Sequence, residues 1–155
     1  MLAYLSGSIE FAAEGGKAWR RELTPFLRQA LGHQVYDPAE DEKKNLTEEE
    51  VAQFRGWKTT APDRFRRTVR KIIQWDIDFI EQKADYVITY WAGSSAGTAA
   101  ELTAAYRRGI PVYLVSELPI GEISGWVLGC AERVFASFEE LKGFLLQEYG
   151  STSDR

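Results

Sequence analysis

The chain holds one cysteine, one histidine and one methionine. Cys130 has no second cysteine with which to close a disulfide, and His33 alone cannot make the Cys/His cluster that zinc requires, so neither redox nor zinc chemistry offers a basis for function. No cofactor or metal is expected. Long apolar runs are missing too: nothing approaches the roughly 18 uninterrupted apolar residues of a membrane-spanning helix, and the first residues lack the basic and apolar regions of a signal peptide. A cytoplasmic protein is the expectation. The third absence is an excess of positive charge. The 19 Lys and Arg against 23 Asp and Glu give a formal net charge of -4, which offers no general attraction for a nucleic-acid polymer or an anionic membrane.

What is present is enough for one folded domain. The 155 residues are 45% hydrophobic and 27% charged, a balance that supports a real core and argues against disorder. No internal repeat or low-complexity block divides the chain, so one domain over 1–150 with a frayed tail at 151–155 is expected.

Leu2–Ser6 is a short apolar run broken by Gly7 and reads as a buried first strand. The segment after it has glycines at 7, 15 and 16, so its backbone can turn sharply and lie close to a ligand, unless it is a plain surface loop. A helix follows from Lys17 or Ala18 to Leu31, with Pro25 either kinking it or opening its second half and Gly32 as its stop. His33–Tyr36 is a second strand closed by Asp37-Pro38, with His33 as a turn residue. Residues 39–61 are charged and poorly periodic, apart from a short helix that Thr47 caps with Glu50 as reciprocal partner. A polar excursion of this length forms a functional lid or partner surface, or a loop held down by Trp57.

From Asp63 to Gln82 a helical repeat sets Val69, Ile72, Ile73 and Ile80 on one face, with Asp76 in its middle and Asp78 almost opposite. A carboxylate on a core-facing stripe must be hydrogen-bonded or border a cavity. Asp76 is therefore a site residue or a structural acid, and Asp78 a solvated one. Arg64, Arg66, Arg67, Arg70 and Lys71 crowd the start of the same helix, as a grip for phosphate or as partners of nearby acids.

Tyr86–Tyr90 and Pro111–Val115 read as strands buried on both faces, and the Ala92–Gly97 turn with its Ala-rich helix completes a parallel strand-helix-strand unit between them. Residues 116–131 are mostly loop with a turn of helix near Trp126. Arg133–Phe135 is a last strand, and Ser137 with Glu140 makes a capping box for a helix to Tyr149. Five strands interleaved with helices imply an α/β domain built on a doubly wound parallel five-stranded sheet, with helices on both faces. In the order 2-1-3-4-5 the first and third strands are neighbours at the switch point, and the Gly7 and Ala92–Gly97 loops meet where such sheets bind ligands.

The free N–H groups at the start of the helix after Gly97 favour anions, and Ser94, Ser95 and Thr98 add hydroxyls. Glu101 lies in the first or second turn, and helical side chains lean toward the N-terminus, so its carboxylate reaches the same crevice. A carboxylate beside a sugar can attack the anomeric carbon, or stabilise positive charge there, while a second acid assists the leaving group. Glu101 and Asp76 suit that division. A glutamate in a helix's first turns is also favoured by the helix dipole alone.

Tyr-Leu-Ser-Gly-Ser at 4–8, the Asp-bearing helix leading through Ala84-Asp85 to a strand, and Gly97-Thr98-Ala99-Ala100-Glu101-Leu102 followed by Ala105 and Gly109-Ile110-Pro111-Val112 resemble the nucleoside 2-deoxyribosyltransferase family. The resemblance covers most of the chain in order and is weak over 39–61. It implies a flavodoxin-like, Rossmann-like three-layer fold, cleavage of an N-glycosidic bond, and a homo-oligomer whose active site borrows residues from a neighbouring subunit. It further implies Glu101 as the nucleophile that forms a glycosyl-enzyme intermediate and Asp76 as the residue that positions or protonates the nucleobase. Tyr4, Gly7, Ser8, Phe11, Trp91, Ser94, Ser95, Gly97 and Thr98 are the expected substrate-binding residues, for a nucleoside or nucleotide rather than a polymer.

Two departures stand out. Residues 91–96 contain no acid, where deoxyribosyltransferases often carry one; a serine-bearing loop there, with Gly-Ser at 7–8, is closer to the family's nucleoside 5′-monophosphate hydrolases. Thr103 stands where a glycine is usual. The Gly93–Glu101 stretch also partly matches the Gly-Gly-x-Gly-Thr-x-x-Glu motif of the phosphoribohydrolases that resemble lysine decarboxylases, with one extra residue between glycines. A nucleotide-binding module without chemistry is the alternative from another functional class.

Overall fold

The computed structural model describes residues 1–150, so the tail expected at 151–155 lies outside the described residues. Five strands, β1 (Leu2–Gly7), β2 (Gln34–Tyr36), β3 (Tyr86–Tyr90), β4 (Val112–Val115) and β5 (Arg133–Phe135), form one sheet in the order β2-β1-β3-β4-β5. Every pairing is parallel, with Gly7 opposite Tyr90 and Tyr90 opposite Val115 at the carboxyl ends. This is the flavodoxin-like order, and it sets β1 beside β3 at the switch point.

The helices are α1 (Lys17–Gln29), α2 (Glu48–Thr60), α3 (Pro62–Lys83), α4 (Ala96–Arg107), α5 (Gly125–Cys130) and α6 (Phe138–Tyr149). Alternation along each strand divides the core in two. Ala3, Leu5, Tyr86, Ile88, Tyr113 and Val115 pack with Leu23 and Leu27 of α1 and Leu141 and Leu145 of α6. On the other face Tyr4, Val87, Val112 and Leu114 pack with Ile80 of α3, Leu102 and Ala105 of α4 and Val127 of α5. Both faces are buried, which is why the strands read as near-continuous apolar runs.

The largest departure from the sequence reading lies between β2 and β3. In place of a short helix in a long excursion, α2 runs for 13 residues, begun by the expected Thr47–Glu50 capping box, and leads directly into the expected helix from Asp63 to Gln82, observed as α3 over Pro62–Lys83. They pack as a hairpin in which Trp57 is buried, Phe54 stacks on Phe65 at 6.3 Å and Arg64 lies 3.7 Å over the Trp57 ring. Apolar periodicity was weak in α2 because its inner face is largely aromatic and its outer face charged. Arg64 pairs with Glu49, Arg66 with Asp63 and Lys71 with Glu50, so acids claim three members of the basic cluster.

Smaller corrections follow the same logic. Ile73 is 56% exposed, at the edge of the α3 face that buries Thr68, Asp76 and Ile80. Pro25 stays inside α1, where the Thr24 hydroxyl donates to the Arg20 carbonyl at 2.7 Å in the turn that the proline disturbs. That helix ends at Gln29, two residues before the expected Leu31. At α6, Ser137 caps Glu140 N–H, but the Glu140 carboxylate accepts from Ala136 N–H, so the box is not closed on Ser137. His33 precedes β2 and is a buried structural residue, its Nδ1 2.8 Å from the Tyr86 hydroxyl.

Gly15 and Gly16 have φ of 63° and 68° in the turn that leads into α1. A Cβ on Gly16 would lie 2.3 Å from the Ser8 carbonyl oxygen, whereas one on Gly15 meets nothing within 4 Å. Gly15→Ala therefore costs only backbone strain, about 1 kcal/mol, and Gly16→Ala costs about 2–3 kcal/mol because the loop must also move. Urea unfolding of the two variants checks the order.

Candidate active site

Period-2 alternation aims Tyr4 and Ser6 at the α4 side of the sheet. There they meet Glu101, in the second turn of α4: the Tyr4 hydroxyl donates to Oε1 at 2.8 Å and the Ser6 hydroxyl to Oε2 at 2.5 Å. Thr89, the register partner of Ser6, brings a third hydroxyl to this face, and its Oγ1 is buried without a partner among the described residues. No cation forms an ion pair with Glu101 among the described residues. Removal from water pushes the Glu101 pKa up to about 7; the Ser6 hydrogen bond pulls it down, Asp76 nearby pushes it up, and the Tyr4 hydrogen bond and the Lys44 ammonium pull it down.

Asp76 is 8% exposed on the face of α3 turned to the crevice. Its Oδ2 accepts from the ammonium of Lys44 at 2.8 Å, and its Oδ1 is buried without a partner among the described residues. Burial raises the Asp76 pKa, Lys44 draws it down and Asp41 raises it. Tyr36 lies beside the pair. Its ring stacks on Tyr4 at 5.4 Å and on Phe79 at 3.8 Å, and its hydroxyl donates to Asp41 and accepts from Trp75 Nε1. Two carboxylates, three hydroxyls, one ammonium and an aromatic wall therefore converge where β1 and β3 end.

The remaining candidates divide. Ser95 is the N-cap of α4, with its hydroxyl 2.8 Å from Thr98 Oγ1 and accepting from Thr98 N–H, so both side chains are engaged in starting the helix. Ser94 and Gly97 are exposed at the same loop. Trp91 is only 6% exposed within the core cluster, so its indole is packing rather than crevice wall. The side of Gly7 that would carry a Cβ faces Trp19 and Arg20 in α1, away from Glu101. Ser8 and Phe11 lie in the loop beyond; Phe11 is 84% exposed, with Lys58 of α2 5.4 Å over its ring and paired to Glu10.

Sequence reasoning did not single out Ser6, Tyr36 or Lys44 as site residues. Ser6 was legible from its i+2 spacing to Tyr4. Lys44 carried no signal: it comes from a charged run and has a left-handed backbone, φ 34°, followed by Asn45 at 62°. Two open cavities lie elsewhere, about 490 Å³ outside α3 by Asn45 and Trp75 and about 460 Å³ beside α1 by Arg21 and Arg28. Neither includes Glu101 or Asp76. The paired carboxylates, rather than open volume, mark the candidate site.

No protein-family model and no curated protein matches the chain. Among solved structures, the chain is similar to a 2-deoxyribosyltransferase from the psychrotolerant bacterium Bacillus psychrosaccharolyticus, at 27% identity and a TM-score of 0.59, over 97% of this chain and 96% of that one. It is also similar to a conserved protein from Enterococcus faecalis V583, at 16% identity and a TM-score of 0.60 over 96% and 98% of the two chains, a likeness of fold alone. The resemblance to 2-deoxyribosyltransferases seen in the motifs thus extends over nearly the whole fold.

A carboxylate whose folded pKa is raised binds its proton longer in the native state than in the unfolded one. Its ionisation costs stability as pH rises from the unfolded value of 4.5 toward about 7. Glu101→Gln removes that cost. The variant is expected to gain about 1–2 kcal/mol over wild type at pH 8, discounted for the partial exposure of Glu101, and no advantage at pH 4. Urea unfolding at the two pH values measures it.

Proposed function

We propose that the protein cleaves the N-glycosidic bond of a nucleoside or nucleoside 5′-monophosphate, with Glu101 as nucleophile. The observation that carries this reading is the Glu101 carboxylate, held by Tyr4 and Ser6 at the carboxyl ends of β1 and β3, with Asp76 beside it. Likeness to a 2-deoxyribosyltransferase over nearly the whole chain supports it.

In the first half-reaction a Glu101 oxygen attacks the anomeric carbon, and the C–N bond breaks with its electron pair leaving on the base nitrogen. Both hydroxyl donors lie along the carboxylate, so they orient it toward the sugar while leaving its charge without a paired cation. A carboxylate so held is more basic than a solvated one and the stronger nucleophile for it. The glycosyl ester is then taken by water, giving the sugar, or by a second base, giving a new nucleoside. Asp76 takes the base side of the crevice, and the ring of Tyr36 offers a flat face beside it. For a 5′-monophosphate, the phosphate would lie at the exposed Ser94–Gly97 start of α4, where free helix N–H groups favour an anion.

Chromatography of free base from a panel of ribo- and deoxynucleosides and their 5′-monophosphates, with and without an acceptor base, tests the reading. Wild type should release or exchange base, and Glu101→Ala should do so about 1,000-fold more slowly or worse. Equal rates in the two proteins, or no release by wild type, would sink the proposal. Because the attacking group must be ionised, kcat/KM is expected to rise with pH through about 7; Tyr4→Phe removes a hydrogen bond to the ionised form and should move that rise to higher pH.

A further inference from the structure

Lys44 is a residue that the glycosidic chemistry does not require and the fold does not explain. It stands in the polar segment between β2 and α2, three residues before the Thr47 cap, yet it is 7% exposed. The chain adopts two consecutive left-handed residues, Lys44 and Asn45, in delivering it. Non-glycine residues at positive φ are uncommon and cost of order 1 kcal/mol each, so something must hold the turn in place. Its ammonium goes to one atom, Oδ2 of Asp76, at 2.8 Å. The other oxygen, Oδ1, is buried without a hydrogen-bond partner among the described residues. An unpaired carboxylate oxygen out of water is costly, and a ligand that brings an N–H removes the cost.

We propose that Lys44 is a positioning residue for base recognition: by tying Oδ2 of Asp76 it leaves Oδ1 as a lone acceptor in the crevice, so that Asp76 receives an N–H from the leaving base rather than giving it a proton. This rests on the glycosidic reading of the site, and it names the substrate class further: nucleobases that present an amino or ring N–H group to Asp76. A neutral carboxyl could donate or accept, whereas an ionised one only accepts. Every other charged or titratable group facing Asp76 works against its ionisation: Asp41 from the same segment as Lys44, Glu101 from α4, and the hydroxyls of Tyr4 on β1 and Tyr36 on β2 if they ionise. Lys44 is the cation in contact. Without it, burial and Asp41 both push Asp76 toward its protonated form, and Oδ1 loses its fixed role as an acceptor.

The test uses the ligand-free protein first. Carboxyl-carbon NMR titration of Asp76 is expected to give a pKa at least about one unit higher in Lys44→Met than in wild type, a ten-fold change in the protonation constant, and Lys44→Arg is expected to restore it. A double variant, Lys44→Met with Asp76→Asn, checks that loss of folding is not the cause, since it removes the orphaned charge as well. Because Lys44 also draws the Glu101 pKa down, the acidic limb of kcat/KM for a cleaved amino-bearing nucleoside should move to higher pH in Lys44→Met as the report of both carboxylates, and the Asp76 resonance assigns the share that belongs to Asp76. An Asp76 resonance that titrates identically in wild type and Lys44→Met overturns the assignment, as does a loss of activity equal at every pH, which is the mark of a merely structural lysine. Absence of base release by wild type with the NMR shift intact overturns the glycosidic reading and leaves the Lys44–Asp76 device standing.

Discussion

One buried guanidinium holds the carboxyl end of the first strand. Arg20 of α1 is fully buried, and it donates to the carbonyls of Gly16 at 2.7 Å, Gly7 at 3.0 Å and Leu5 at 3.4 Å, while its Nε stands 3.2 Å from Asp37 without the alignment of a hydrogen bond. A buried cation is tolerated only where such partners replace water. Here the partners are the last carbonyls of β1, the turn into α1 and the residue after β2, so three segments distant in sequence are tied to one point. Tyr4 and Ser6 alternate with Leu5 and Gly7 along β1. By gripping the strand from the α1 side, Arg20 fixes the height at which the two hydroxyls meet Glu101 on the other side. The same contact explains Gly7, where a Cβ would come within 3.1 Å of Trp19 and 3.2 Å of Arg20.

The two acids of the crevice are handled by opposite means. Glu101 is held by neutral hydroxyls that orient it without cancelling its charge, and Asp76 is held by an ammonium that cancels its charge and uses up one oxygen. Burial raises the pKa of both. What separates them is the partner. A carboxylate left with its charge is suited to reach an electron-poor carbon, and one already paired with a cation is suited to hold a neutral polar edge, so like residues are given unlike electrostatics by their surroundings alone.

The sheet was legible because it rests on short-range rules. Short apolar runs such as Tyr86–Tyr90 and Pro111–Val115, bounded by turn residues and too short for a helix, read as strands buried on both faces, and their alternation with helical segments leaves few topologies. Asp76 was legible for a related reason: an acid on an apolar helical face contradicts its neighbours, and such contradictions gather at sites. Trp91 misled, since a tryptophan at the end of a strand reads equally as a ligand platform or as core, and only the packing of Ile123 and Val127 around it decides. Arg20 and Lys44 were illegible. Each is a cation in a charged stretch of ordinary composition, and their roles come from backbone geometry that no periodicity encodes: the carbonyls of a strand end for one, a left-handed turn for the other.

The crossover from β2 to β3 is pinned at both ends, at Asp37 by Arg20 and at Ile80 by the core. Between those pins runs the whole α2–α3 hairpin together with the turn that presents Lys44, and none of it pairs with the sheet. The entropy of closing such a span changes only slowly with its length. The segment thus tolerates exchange: residues 38–46 can be lengthened, shortened or replaced, with Thr47 kept as the cap of α2, while the strand ends, and Glu101 on α4 beside them, keep their places.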